Sequence, residues 1–144
     1  MASAVSTFLL MKASVSAKYV RRSLWPRIAC VTNKPLRFAE PLLAHFALLE
    51  LLDALVAGDS TAAKKPDPAP VLEACRRLGV SPQACVLIGD SAHDAHAARA
   101  AGMPFVAVPY GYGAKEELQH EQVIASLARA AESLAAGRSY PGWQ

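Results

Sequence analysis

An α/β fold, a parallel sheet covered on both faces by helices, is predicted by three features of the sequence. Short apolar runs alternate with helical patterns, turn-forming residues separate the two, and the distinctive polar residues stand where the apolar runs end. Such alternation calls for βα units with parallel strands. Ligands of these sheets sit beyond the carboxyl ends of the strands.

The elements follow in order. Residues 1–26 form a basic leader, and residues 1–39 hold Lys12, Lys18, Arg21, Arg22, Arg27, Lys34 and Arg37 without one acid. The rest of the chain is slightly acidic. Residues 27–33, Arg-Ile-Ala-Cys-Val-Thr-Asn, read as a buried strand stopped by Lys34-Pro35. Phe38, Leu42, Leu43, Phe46, Leu49 and Leu52 recur at helical spacing, predicting an amphipathic helix over 38–52, and residues 54–57 predict a second strand. A loop rich in Gly, Asp, Ser, Lys and Pro spans 58–70, followed by a helix to Leu78 with Gly79 just past its end.

Residues 84–88 predict a strand that stops at Gly89-Asp90. An Ala-rich helix over 93–101 follows, ended by Gly102, then a strand over 105–108. A last amphipathic helix is expected over 115–136, with Leu118, Val123, Ile124, Leu127 and Leu134 as core contacts, and residues 138–144 form a tail. The expected folded unit is therefore 27–137. Thr32-Asn33, Gly89-Asp90 and Tyr110-Gly111 should meet at one edge of its sheet.

Composition narrows the function. With 144 residues, of which 53% are hydrophobic and 19% charged, the chain suits one globular domain rather than a disordered segment. Three cysteines without C-x-x-C spacing suggest neither a disulfide framework nor a zinc site, and fit a reducing, cytoplasmic setting. No apolar run approaches the roughly 20 residues that cross a bilayer. The basic residues cluster in a leader with no recognisable motif, which argues against nucleic-acid binding. That leader also has the acid-poor composition of an organellar transit peptide, although a mis-started or truncated reading frame is the preferred expectation.

Several polar residues carry chemistry, each with a plainer reading beside it. Asp90 at a strand end and Asp94 at the start of the next helix present two carboxylates to one pocket, which suits a hard cation such as Mg²⁺. Alternatively, Asp90 or Ser91 caps the helix and Asp94 complements its dipole. Lys65, among the prolines of Lys64-Lys65-Pro66-Asp67-Pro68, offers a fixed ammonium for a phosphate, or is a solvated loop lysine. The Thr32 hydroxyl and the Asn33 N–H can donate to an oxyanion, or merely end a strand. His93 and His96 share a helix face but lack further ligands, and are expected at the surface. Tyr110 and Tyr112 border the pocket or pack.

Taken together, Val31-Thr32-Asn33-Lys34-Pro35, Gly58-Asp59-Ser60 with Lys64-Lys65-Pro66-Asp67-Pro68, Gly89-Asp90-Ser91-x-x-Asp94 and Tyr110-Gly111-Tyr112-Gly113 resemble the second to fourth motifs of the haloacid dehalogenase superfamily. The pattern is most similar to its phosphoglycolate phosphatase group. The resemblance implies a Rossmann-like core that is incomplete and lacks the cap domain. It also implies Mg²⁺-dependent hydrolysis of a small phosphorylated metabolite, with 2-phosphoglycolate the first candidate and sugar phosphates the rivals. Thr32 and the Asn33 amide would bind the phosphoryl group, Lys65 would neutralise it, and Asp90 would ligate Mg²⁺, with Asp94 assisting the metal or orienting Lys65.

The family's first motif, Asp-x-Asp on a central strand, supplies its nucleophile and its general acid and base. Here no acid precedes Glu40, so the resemblance also admits a non-catalytic chain that only binds phosphate and Mg²⁺. Loss of the central strand would leave two unpaired edges. Residues 5–11, Val-Ser-Thr-Phe-Leu-Leu-Met, offer a substitute strand, though without the acid. A response-regulator receiver domain would present its acids before its Thr and Lys, the reverse of the order found.

Overall fold

The computed structural model describes residues 8–11, 27–111, 113, 118–119, 121, 123–125 and 129. Five strands form one sheet in the order β3-β2-β1-β4-β5. They are β1 (Phe8–Met11), β2 (Ile28–Val31), β3 (Ala54–Val56), β4 (Cys85–Gly89) and β5 (Phe105–Ala107). β2 and β3 are parallel with Val31 opposite Val56, and β4 and β5 are parallel with Gly89 opposite Ala107. These strands and the helices between them make the expected α/β core.

The sheet is not parallel throughout. β1, drawn from the basic leader, lies between β2 and β4 and runs antiparallel to both, with Phe8 opposite Cys30 on one side and Ile88 on the other. A four-residue strand with a free approach to both neighbours can satisfy their N–H and C=O groups in either direction. The leader thus closes the gap that would otherwise expose two central edges.

The core follows from strand alternation. Leu87 packs with Ala29, Val31 and Val56 against helices α2 (Ala69–Leu78) and α3 (Ala92–Ala100). Val86 and Ile88 point to the other face, where they meet Val106, Val108 and the partly buried Ile28 and Ile124. β4 is buried over its whole length, as befits a strand covered on both faces. Gly79 ends α2 in the left-handed conformation, and Gly102 takes a φ of 67° after α3, as the sequence predicts.

Two helices differ from expectation. α1 spans only Leu36–His45, and a separate 3-10 turn covers Leu49–Leu51. The break is a Schellman-type ending: Ala47 adopts a φ of 53°, its N–H bonds to Ala44 O, and the Leu48 N–H reaches back to Leu43 O at 2.8 Å. Because the left-handed residue is alanine rather than glycine, nothing in the local sequence marks the stop. Of the proposed apolar stripe only Leu43 is buried, while Phe38 and Phe46 are exposed.

Nor does a helix run unbroken over 115–136. Val123 forms a parallel bridge with Ala107, and the Ile124 N–H bonds to Ala107 O at 2.9 Å. The open edge of β5 captures this stretch as extended chain, which leaves Val123 exposed rather than in the core. Leu118 is buried against Ala95 and Ala107, and Arg99 pairs with Glu121. Leu127, Leu134 and the tail lie outside the described residues. Among those described, no helix is long and apolar enough to cross a membrane.

Candidate active site

β2 and β4 end at the same edge of the sheet and continue into Thr32-Asn33 and Asp90. Among the described residues, the buried polar or charged side chains are Thr32, Lys65, Asp90 and Asp94. All four lie at or beside this edge. An apolar core tolerates such groups only when hydrogen bonds or opposite charges compensate their lost hydration.

The compensation is specific. Lys65 Nζ donates to Val31 O and to Asp94 Oδ1, each at 2.7 Å, so the lysine bridges the end of β2 and the start of α3. Side-chain exposure is only 4% for Lys65 and 1% for Asp94, which makes this an interior ion pair rather than a solvated one. The lysine is therefore not a solvated loop residue.

Asp94 also closes the start of α3. Its Oδ2 accepts from Ser91 Oγ at 2.7 Å, Ser91 N at 3.2 Å and Asp90 N at 3.3 Å, while Ser91 Oγ accepts from Asp94 N. This is a capping box, with Ser91 as N-cap. The capping reading and the site reading thus describe one carboxylate, whose first oxygen holds Lys65 and whose second holds the turn after β4.

Asn33 takes part in a way the sequence did not reveal. Its side chain grips the Lys65 main chain from both sides, Nδ2 donating to Lys65 O at 2.9 Å and Oδ1 accepting from Lys65 N at 3.0 Å. The two residues are 32 positions apart, so no local pattern announces the clasp. Thr32 Oγ1 accepts from Lys34 N at 3.2 Å, and its own N–H bonds to Val56 O, which fixes the turn out of β2. Lys65 precedes a cis peptide to Pro66.

The span that holds these side chains is similar to known proteins. The family model described as haloacid dehalogenase-like hydrolase matches residues 25–108, more than half of the chain and the whole span of these side chains. The chain belongs to the haloacid dehalogenase-like hydrolases. A phosphoglycolate phosphatase of Nitrosospira multiformis is 48% identical over 104 residues, covering 70% of this chain and 46% of its own length. One from a Cupriavidus necator plasmid is 57% identical over 86 residues, covering 60% and 37%. The chain spans about half the length of the curated relatives it matches.

Solved structures of this hydrolase fold agree. A protein from Haemophilus somnus, described as a predicted phosphoglycolate phosphatase, superimposes with a TM-score of 0.67 at 32% identity, covering 72% of this chain and 48% of that one. CbbY from Rhodobacter sphaeroides, crystallised with phosphate, gives 0.63 at 33% identity, covering 71% and 47%.

The two histidines are not among these buried side chains. His93 and His96 are exposed on α3, and among the described residues no group of three or more His, Cys, Asp or Glu could hold a metal. Tyr110 is exposed, and Tyr112 lies outside the described residues. Cys30, Cys75 and Cys85 are buried free thiols, and burial pushes Cys30 up to about 12.

Proposed function

We propose that this chain carries the phosphate- and cation-binding half of a Mg²⁺-dependent phosphomonoester hydrolase acting in the cytoplasm on a small phosphorylated metabolite. 2-Phosphoglycolate is the first candidate substrate and a sugar phosphate the alternative. The observation that carries the reading is the gathering of Thr32, Lys65, Asp90 and Asp94, all buried, at one strand edge. The relatives' names support the substrate.

In this reading the Thr32 hydroxyl and the Asn33 N–H hold the phosphoryl oxygens, and the Lys65 ammonium balances their charge. Catalysis of phosphoryl transfer rests mainly on such positioning and charge stabilisation. Mg²⁺ keeps several waters and needs only one or two protein carboxylates, so the oxygen donors of Asp90 suit it without a larger cluster. When bound, the ion would neutralise charge on the substrate phosphate. Asp94 has both oxygens engaged by Lys65 and the helix start, which favours the role of orienting Lys65 over that of metal ligand.

A second reading is a chain that binds phosphate and Mg²⁺ without turnover. It is favoured by β1, which fills the centre of the sheet in the antiparallel sense and contains Phe-Leu-Leu-Met, with no carboxylate to attack phosphorus.

The test is phosphate and Mg²⁺ binding by calorimetry, together with phosphate release from 2-phosphoglycolate and an aryl phosphate, in the parent chain and in Asp90→Asn and Lys65→Ala. Binding lost in both variants is the expected result. Phosphate binding that survives Lys65→Ala unchanged would sink the site. Turnover abolished by Asp90→Asn would show that another group replaces the nucleophile. A folded protein that binds but releases nothing supports the second reading.

A further inference from the structure

The turn after β5 runs over Asp90, and its closeness is measured by what a side chain would meet there. A Cβ placed on Gly111 would overlap Asp90 Oδ2 and lie 2.5 Å from its Cγ and 2.6 Å from its Cβ. Gly111 also has a φ of 136°, a conformation that L side chains rarely adopt. Two residues later the same turn approaches the main chain. A Cβ on Gly113 would overlap the Asp90 carbonyl oxygen and stand 2.8 Å from Asp90 C and from Ser91 Cα.

An aspartate χ1 has three staggered wells. The Asp90 N–H is tied to Asp94 Oδ2 at 3.3 Å, so the capping box of α3 holds its main chain. The Gly111 backbone stands against its side chain in the space any other residue would fill. We propose that Gly111 is a positioning residue for Asp90, its bare backbone confining the carboxylate to one rotamer at the strand edge. The third element of the site, the turn after β5, thereby sets the direction of the group that β4 delivers. The link to a cation rests on the function proposed above, whereas the positioning itself does not.

The two glycines provide an internal control, because Gly111 meets a side chain and Gly113 meets only backbone. In the full chain, Gly111→Ala is expected to lower the folded-to-unfolded ratio by about tenfold or more in chemical denaturation, and to recover part of that loss in an Asp90→Gly background, where all three nearest atoms are gone and only the strain of the φ of 136° remains. Gly113→Ala is expected to cost the same in both backgrounds. Equal costs of Gly111→Ala in the two backgrounds would overturn the proposal. Should Gly111→Ala fail to fold, rescue by Asp90→Gly supports the proposal, and side-chain couplings of Asp90 in the parent chain that average over several rotamers overturn it.

A metal-free spectroscopic reading separates positioning from general stability. With ¹³C-labelled aspartate, the carboxyl resonance that disappears in Asp90→Asn should move in Gly111→Ala, while those of Asp53, Asp59 and Asp67 stay. An unmoved resonance in the folded variant overturns the proposal. Mn²⁺, titrated as a probe for the Mg²⁺ site, then distinguishes the two claims. Weaker Mn²⁺ binding in Gly111→Ala extends the positioning to the cation. A parent chain that binds no Mn²⁺, yet shows the coupling and the shifted resonance, keeps Gly111 as a positioning residue and removes the cation.

Discussion

β1 and β4 are neighbours at the centre of one sheet, paired from Phe8 opposite Ile88 to Met11 opposite Cys85, yet only β4 brings chemistry to the edge. β4 runs with β5 and leads straight into Asp90 and the capping turn of α3. β1 runs against both neighbours, so its amino end, at Phe8, lies at the edge where β4 ends. Backbone pairing tolerates either strand direction, because N–H and C=O groups alternate along both edges. Delivery of a functional group depends on direction, because ligands of such sheets sit beyond the carboxyl ends of the strands, and at that edge β1 presents its first residue, Phe8, instead of a polar continuation. A strand can therefore satisfy its neighbours' hydrogen bonds in a direction that brings no carboxyl end to the edge.

The largest test of that contrast is removal of residues 1–11. β2 and β4 would each lose a partner, and we expect loss of cooperative unfolding and self-association, visible by far-UV circular dichroism and gel filtration. A monomeric shortened chain with a two-state transition would mean that β1 only decorates the sheet. Next comes the link between β2 and α3. Asp94→Ala removes the carboxylate that faces the buried Lys65 ammonium at 2.7 Å and should cost about 3–5 kcal/mol in urea unfolding. A cost under about 1 kcal/mol would show that the pair is as weak as a solvated one.

Within β4, Leu87→Ala should cost about 2–5 kcal/mol through the cavity it leaves between the sheet and α2. Phosphate affinity in a folded Leu87→Ala chain should be unchanged, because the site depends on the strand's end rather than its middle.

β2, the other neighbour of β1, offers a pH test. Burial raises the Cys30 thiol from 9.0 to about 12, so the unfolded chain releases this proton at a pH where the folded chain keeps it. The contribution to stability is complete below about pH 9 and is lost as pH rises towards 12. Cys30→Ala should flatten that part of the stability profile relative to the parent. The smallest effect is expected on the outer face of α2, where hydrogen bonds from Arg76 and Arg77 hold Glu73 down at about 2. What stability this gives is present above about pH 4.5 and fades as pH falls towards 2, and added salt should weaken it.

What was legible in the sequence was local. Thr32, Lys65, Asp90 and Asp94 stand in an order and a set of contexts that resemble the family's motifs, and the strand ends predict that Thr32 and Asp90 share one edge. α2 and α3 were equally readable, because Gly79 and Gly102 punctuate them and Ser91-x-x-Asp94 starts the second. Tertiary structure decided the rest. The end of α1 at a left-handed alanine, the capture of Val123 beside β5 and the Asn33 clasp on Lys65 all depend on partners that neighbouring residues do not specify. The direction of β1 belongs with them. Apolar alternation is the same read forwards or backwards, and only the two edges that receive a strand determine which way it lies.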